Sequence, residues 1–135
     1  MTNTVKKGFT LIEIVIVLAI AALIMVVVFF AVQGAQRGQR NEQRKDFAAR
    51  SLSKYQEFQG NNNGTAPTSA QLDAAFGAGE RGNIGGVNLT AEVNAASLGA
   101  CGAGTTVARV VTNAPLRAQI CLETTGGGQL YNTNQ

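Results

Sequence analysis

The chain opens with polar and basic residues up to Gly8, and from Ile14 to Val32 it runs without a single polar side chain. At about 1.5 Å rise per residue that run makes a helix roughly 28 Å long, close to the roughly 30 Å of a bilayer hydrocarbon core. It is expected to span a membrane. A lone acid, Glu13, stands at its edge, and a carboxylate there is expensive unless a cation meets it. Past Val32 the pattern changes but the helix is expected to continue. From Gln33 to Gln59 there is no proline, and Arg, Gln, Glu, Lys and Ala dominate, all good helix formers. Phe47, Ala48, Ser51, Leu52, Tyr55 and Phe58 recur at spacings of three and four, the mark of one buried stripe. A helix from Phe9 to Gln59 would be roughly 76 Å long.

Gly60-Asn61-Asn62-Asn63-Gly64 ends that helix, since it has residues suited to positive φ and no apolar one. Thr68-x-x-Gln71 after Pro67 reads as a capping box opening a short helix to Phe76, with Gly77 as its stop. Gly77 to Gly86 is a glycine-rich connector, and the remainder reads as sheet. Val87, Leu89, Ala91 and Val93 alternate with polar residues, as in a half-buried strand. Thr106 to Thr112 and Leu116 to Glu123 make two more strands around an Asn113-Ala114-Pro115 turn, and Gly126-Gly127-Gly128 turns the chain into a last one near Leu130 and Tyr131. Leu116, Ala118, Ile120 and Leu122 share one face, the natural partner of the Phe47–Phe58 stripe. The expected fold class is α+β: a long N-terminal helix whose C-terminal half packs on a small antiparallel sheet.

Composition narrows the function. Only about 75 residues remain for a soluble domain, few enough to want a staple or a partner. The net charge of +3 is mostly leader: without Lys6 and Lys7, nine basic residues face eight acidic ones. Nucleic acid is therefore not indicated as a partner. Arg37, Arg40, Arg44 and Lys45 are read as a solvated or headgroup-facing surface. There is no histidine, and Asp73, Glu80, Glu92 and Glu123 are scattered, so neither a base–nucleophile set nor a metal cage forms. The chain is expected to be no enzyme, with no cofactor and no metal. The connector glycines lack the strand–loop–helix setting of a phosphate loop. Cys101 and Cys121 are either a disulfide closing a loop of about 20 residues or two free buried thiols, and the former fits an exported domain. Asn63-Gly64-Thr65 and Asn88-Leu89-Thr90 match the spacing of an N-glycosylation acceptor, a pattern weak by itself.

From apolarity alone, the N-terminal segment is a signal anchor whose Glu13 snorkels toward water. A cleaved secretory signal fits poorly, because the run exceeds an h-region of about 7–15 residues and no small-x-small site follows. The residues say more. Lys6-Lys7-Gly8-Phe9-Thr10-Leu11-Ile12-Glu13 before a long apolar helix resembles the class III leader of type IV pilins and pseudopilins. In that family a prepilin peptidase cuts after the glycine and methylates the new N-terminus. The resemblance covers about 25 residues and implies cleavage between Gly8 and Phe9 and N-methylation of Phe9. It gives Glu13 an assembly role: a neighbouring subunit's Phe9 amine would meet its carboxylate inside a bundle of staggered helices and set axial register.

The implied architecture is a lollipop divided as 1–8 leader, 9–33 membrane and filament-core helix, 34–59 amphipathic continuation, 60–86 loops with a short helix, and 87–135 sheet with a C-terminal disulfide loop. Many bacterial pilins carry a proline about twenty residues into the mature helix. This chain has Val28-Phe29-Phe30-Ala31 there, and Gly34 and Gly38 are the nearest helix weakeners. The implied partners are further copies of the chain, the prepilin peptidase, an ATPase-driven assembly platform and the inner membrane. The precursor would lie in the cytoplasmic membrane with its N-terminus inside, and the assembled subunit in an extracellular filament. A plain Lys/Arg tally conflicts with that orientation, because Arg37, Arg40, Arg44 and Lys45 follow the span. Two alternatives stand beside the pilin reading: a pseudopilin or minor pilin of a type II secretion or DNA-uptake system, and a membrane-anchored binding domain that never polymerises.

Overall fold

The computed structural model describes residues 8–77, 79–84, 86–102, 105–124 and 127–133. Residues 1–7 of the expected leader lie outside them. Helix α1 spans Leu11–Asn61, two residues beyond the expected end. The chain divides into two compact units, one ending at Gln36 and one beginning at Arg37.

The first unit is helix with every described side chain outside any core. An 18-residue window of α1 reaches a mean hydropathy of 3.4 with none of it buried. Ile14, Val15, Leu23, Val27, Phe29 and Phe30 are all exposed. So long an uncovered apolar stretch is stable in lipid or against other apolar helices, and unfavourable in water. Together with the leader motif reported below, it makes the precursor a membrane-anchored protein.

The second unit builds a core between the end of α1 and a sheet. Phe47, Ala48, Leu52 and Tyr55 pack with Ala108, Val110, Ala118 and Ile120 in one buried cluster, and Leu116 and Leu122 lie against it. Ser51 joins the buried stripe by donating its hydroxyl to the Phe47 carbonyl one turn back. The expected stripe and the expected strand face thus meet. α1 ends where Asn63 and Gly64 take φ of 51° and 81°, which lets the Gly64 N–H bond the Gln59 carbonyl at 2.8 Å. Helix α2, Ser69–Ala74, starts on the capping box: Thr68 accepts from the Gln71 N–H while Gln71 reaches back to the Thr68 N–H. Phe76 then stacks on Phe47 with ring centroids 4.8 Å apart.

Strands β1 (Asn83–Ile84) and β2 (Val87–Asn88) form a small antiparallel pair. The glycine-rich connector therefore ends in a strand the sequence did not announce. The expected strand from Val87 to Val93 is divided at Leu89, whose side chain is fully buried and whose N–H donates to the Gly82 carbonyl. β3 (Thr90–Asn94), β4 (Val107–Val111), β5 (Arg117–Thr124) and β6 (Gly127–Asn132) form a four-stranded sheet in that order. One pairing differs from the expected antiparallel sheet, because β3 and β4 are parallel and the sheet is mixed. Connection length is the reason. Residues 95–106 separate these two strands, a length that allows a parallel pairing, whereas only residues 112–116 separate β4 from β5 and residues 125–126 separate β5 from β6, too few for anything but reversal.

Both the edge and the far face of the sheet are fastened. The outward amides of β3 are taken by α2: Ala91 N–H donates to Asp73 Oδ1 and Val93 N–H to Ser69 Oγ. This covers an edge that would otherwise offer itself to another strand. Buried Gln119 accepts from the Leu98 N–H at 2.8 Å, and its own amide donates to Asn132 Oδ1. Leu98 is thereby held to β5.

Candidate functional site

The N-terminal segment concentrates the chemistry the sequence singles out. Gly8 and Phe9 precede α1 and are exposed, with Phe9 at 86%, so the bond between them is sterically open. Thr10 is the residue before the first helical position, and Glu13 is the third residue of the helix. The Glu13 carboxylate accepts from the Thr10 N–H at 2.8 Å and from the Thr10 hydroxyl at 2.7 Å. The Glu13 N–H in turn donates to Thr10 Oγ1 at 3.4 Å. This is a capping box, two otherwise unpaired helix-start donors satisfied reciprocally. In the uncut chain Glu13 is therefore not a bare carboxylate. Sequence reasoning missed that partner, although Thr10-x-x-Glu13 has the same spacing that identified Thr68-x-x-Gln71.

A carboxylate at the third helical position also lies near the positive end of the helix dipole. The arrangement brings Gly8, Phe9, Thr10 and Glu13 together within one turn. Cleavage after Gly8 would add a cationic amine to this turn, where among the described residues the acid's hydrogen-bond donors are the neutral groups of Thr10.

In the second unit the structure joins Cys101 and Cys121 in a disulfide, with their Cα atoms 5.5 Å apart. Beside it lies a polar cluster that corrects the reading of the basic residues as a solvated or headgroup-facing surface. Arg44 is 2% exposed. Its guanidinium donates to the carbonyls of Thr105 and Cys121, and pairs with Glu123 Oε1 at 2.9 Å. Arg40 holds the other carboxylate oxygen at 2.9 Å. Asn41 completes the clamp, donating to the Glu123 carbonyl and accepting from the Glu123 N–H, both at 2.8 Å. The Arg40 hydrogen bond above all holds the Glu123 carboxyl below the usual carboxylate range; partial burial opposes this, and the Arg40 and Arg44 charges add to it. Lys45 is bound to Glu42 and lies over the Tyr131 ring.

The signal for Arg44 was its phase. It lies three and four residues before Phe47 and Ala48 on the buried stripe, but its charge argued for water. What overrides the charge is the Cys121 strand carbonyl, the Thr105 loop carbonyl and one acid at that depth. Among the described residues no group of three or more Asp, Glu, Cys and His could hold a metal ion.

Set against known proteins, residues 3–29 match the family model described as the prokaryotic N-terminal methylation motif. That motif is the class III prepilin leader signal of type IV pilins, and the matched residues hold the Gly8–Phe9 bond, Thr10 and Glu13. It marks the chain as a prepilin-peptidase substrate of the type IV pilin-like or pseudopilin kind. No curated protein and no solved structure matches the chain.

Proposed function

We propose that this protein is a structural subunit of a type IV pilus-like surface filament. Prepilin peptidase cuts after Gly8, Phe9 becomes the methylated N-terminus, and the subunit is added to a growing bundle of apolar helices by the assembly platform. The observation that carries this reading is the joint placement of an exposed Gly8–Phe9 bond, one acid at Glu13 and an entirely uncovered apolar helix behind it. Each has a use in a filament. The apolar stretch needs burial on all sides, which several copies of itself supply once it leaves lipid.

Glu13 then trades neutral donors for a charged one. Among the described residues of the precursor, Thr10 donates to it through its N–H and its hydroxyl. In the filament the Phe9 amine of a neighbour provides a cation, and an opposite charge in a low-dielectric bundle attracts far more strongly than in water. An incoming subunit out of register would bury the acid without its partner, so the pair selects one axial step.

Glu13→Gln tests the proposal. The variant keeps the capping hydrogen bonds and loses the charge. It is expected to insert into the membrane and be cleaved normally, yet to give few or no filaments by electron microscopy of the cell surface. Normal numbers of normal-length filaments would overturn the assembly role. The same leader motif serves pseudopilins and minor pilins, and such a subunit would show processed protein that stays in the membrane fraction.

A further inference from the structure

Two stretches of the chain have Asn-x-Thr spacing, Asn63-Gly64-Thr65 and Asn88-Leu89-Thr90, and the fold puts them in opposite circumstances. Asn88 belongs to β2 and its side-chain oxygen accepts from Asn83 Nδ2 at 3.0 Å. Leu89, the middle residue, is fully buried in the core. Thr90 begins β3, with its N–H bound to the Thr106 carbonyl. An enzyme could take this triplet only by opening the β1–β2 pair and pulling Leu89 out of the core.

Asn63-Gly64-Thr65 has none of these restraints. All three residues are exposed and lie between α1 and α2, outside any helix or strand. The backbone of the turn is fixed by Gly64 N–H to Gln59 O at 2.8 Å and Thr65 N–H to Asn62 O at 3.0 Å. Its side chains are not: among the described residues, neither the Asn63 amide nor the Thr65 hydroxyl has a hydrogen-bond partner. Both groups an N-glycosylation enzyme must grip are therefore presented without a competing bond. Gly64 keeps the approach open, since even a Cβ there would meet nothing within 4 Å.

We propose that Asn63 is the acceptor of an N-linked glycan and that Asn88 is not. The donor class is a saccharide carried on a lipid diphosphate, met at the outer face of the membrane; this rests on the reading that the second unit is exported. In the transfer, Asn63 Nδ2 attacks the anomeric carbon of the donor's first sugar. The N–C bond forms and the C–O bond to the diphosphate breaks. The lipid diphosphate leaves with the bonding electron pair, and the amide proton passes to a base of the transferase.

The test is intact and peptide mass analysis of the full chain isolated from its native cells, together with Asn63→Gln, Thr65→Ala, Thr65→Ser and Asn88→Gln. A glycan mass is expected on the 60–67 region of wild type. It should be lost in Asn63→Gln and Thr65→Ala, and kept in Thr65→Ser and Asn88→Gln. Asn63, Thr65 and Asn88 are all exposed, so folding is preserved in these variants. A chain starting at Phe9 with no added saccharide overturns the glycan and leaves the pilin reading standing. A glycan on an uncut chain supports Asn63 as acceptor and removes the pilin reading. A glycan that persists in Asn63→Gln, or an uncut and unmodified chain, overturns the proposal.

Discussion

Arg44 shows how far a single residue can depart from its usual setting. A guanidinium is seldom fully buried unless paired, and here it is met by two carbonyls and the Glu123 carboxylate. Replacing it with Met fills similar volume but strips hydrogen bonds from Cys121, Thr105 and Glu123. Arg44→Met is expected to destabilise the second unit by about 2–4 kcal/mol, read by urea unfolding of the detergent-solubilised chain. Lys54→Met, which loses only a loose surface pair with Glu57, should stay within about 0.5 kcal/mol. Equal effects of the two would deny Arg44 its role. Glu123 adds a pH signature. Its carboxyl is held low when folded, so its stabilisation is complete above the unfolded carboxylate value of about 4.3 and is lost as pH falls through the lower folded value. The stability gap between wild type and Glu123→Gln should hold steady at neutral pH and close in acid below about pH 4. A gap unchanged at about pH 2 would contradict the clamp.

At the scale of elements, what was legible followed from local rules. The apolar run, the stripe from Phe47, the Thr68 capping box and the alternation around Ile120 each report their own neighbourhood, although Phe58 at the stripe's expected end is only half-buried and α2 stops at Ala74, short of Phe76. The parallel pairing of β3 with β4 was not legible, because it depends on the path of the 95–106 connection and not on either strand's pattern. The buried clamp from Asn41 and Arg44 to Glu123 was hidden for the same reason: its partners are about eighty positions apart. The Thr10–Glu13 box was local and could have been read. Close packing between elements also gives Gly128 a requirement that its place in a turn-rich tail did not suggest. A Cβ there would stand 2.5 Å from Cys101 Cβ and 3.0 Å from the Cys101 carbonyl oxygen. Gly128→Ala must displace the disulfide segment and is expected to cost about 1–3 kcal/mol. Gly99→Ala, with open space around it, serves as the control. Indistinguishable urea midpoints would show that the Cys101 segment yields freely.

For the molecule as a whole, the two units have separate tasks. The first is an apolar helix behind a match to the N-terminal methylation motif, suited to lipid and, on the proposed reading, then to other helices. The second is a small domain held by its core, the Glu123 clamp and the Cys101–Cys121 bond. Reducing that bond is expected to lower its stability by about 3 kcal/mol on the chain-entropy model, seen as a lower urea midpoint with reductant. An unchanged midpoint would mean that Arg44 and Gln119 suffice to hold the loop. On the proposed reading, a filament forms only once the leader is removed. The most direct measurement is the intact mass of the protein in filaments sheared from the cell surface and in washed membranes. The expected result is a chain beginning at methylated Phe9 in the sheared fraction. A chain still beginning at Met1 or Thr2 in both fractions would contradict the filament account, and would return Glu13 to the ordinary work of capping an anchor helix.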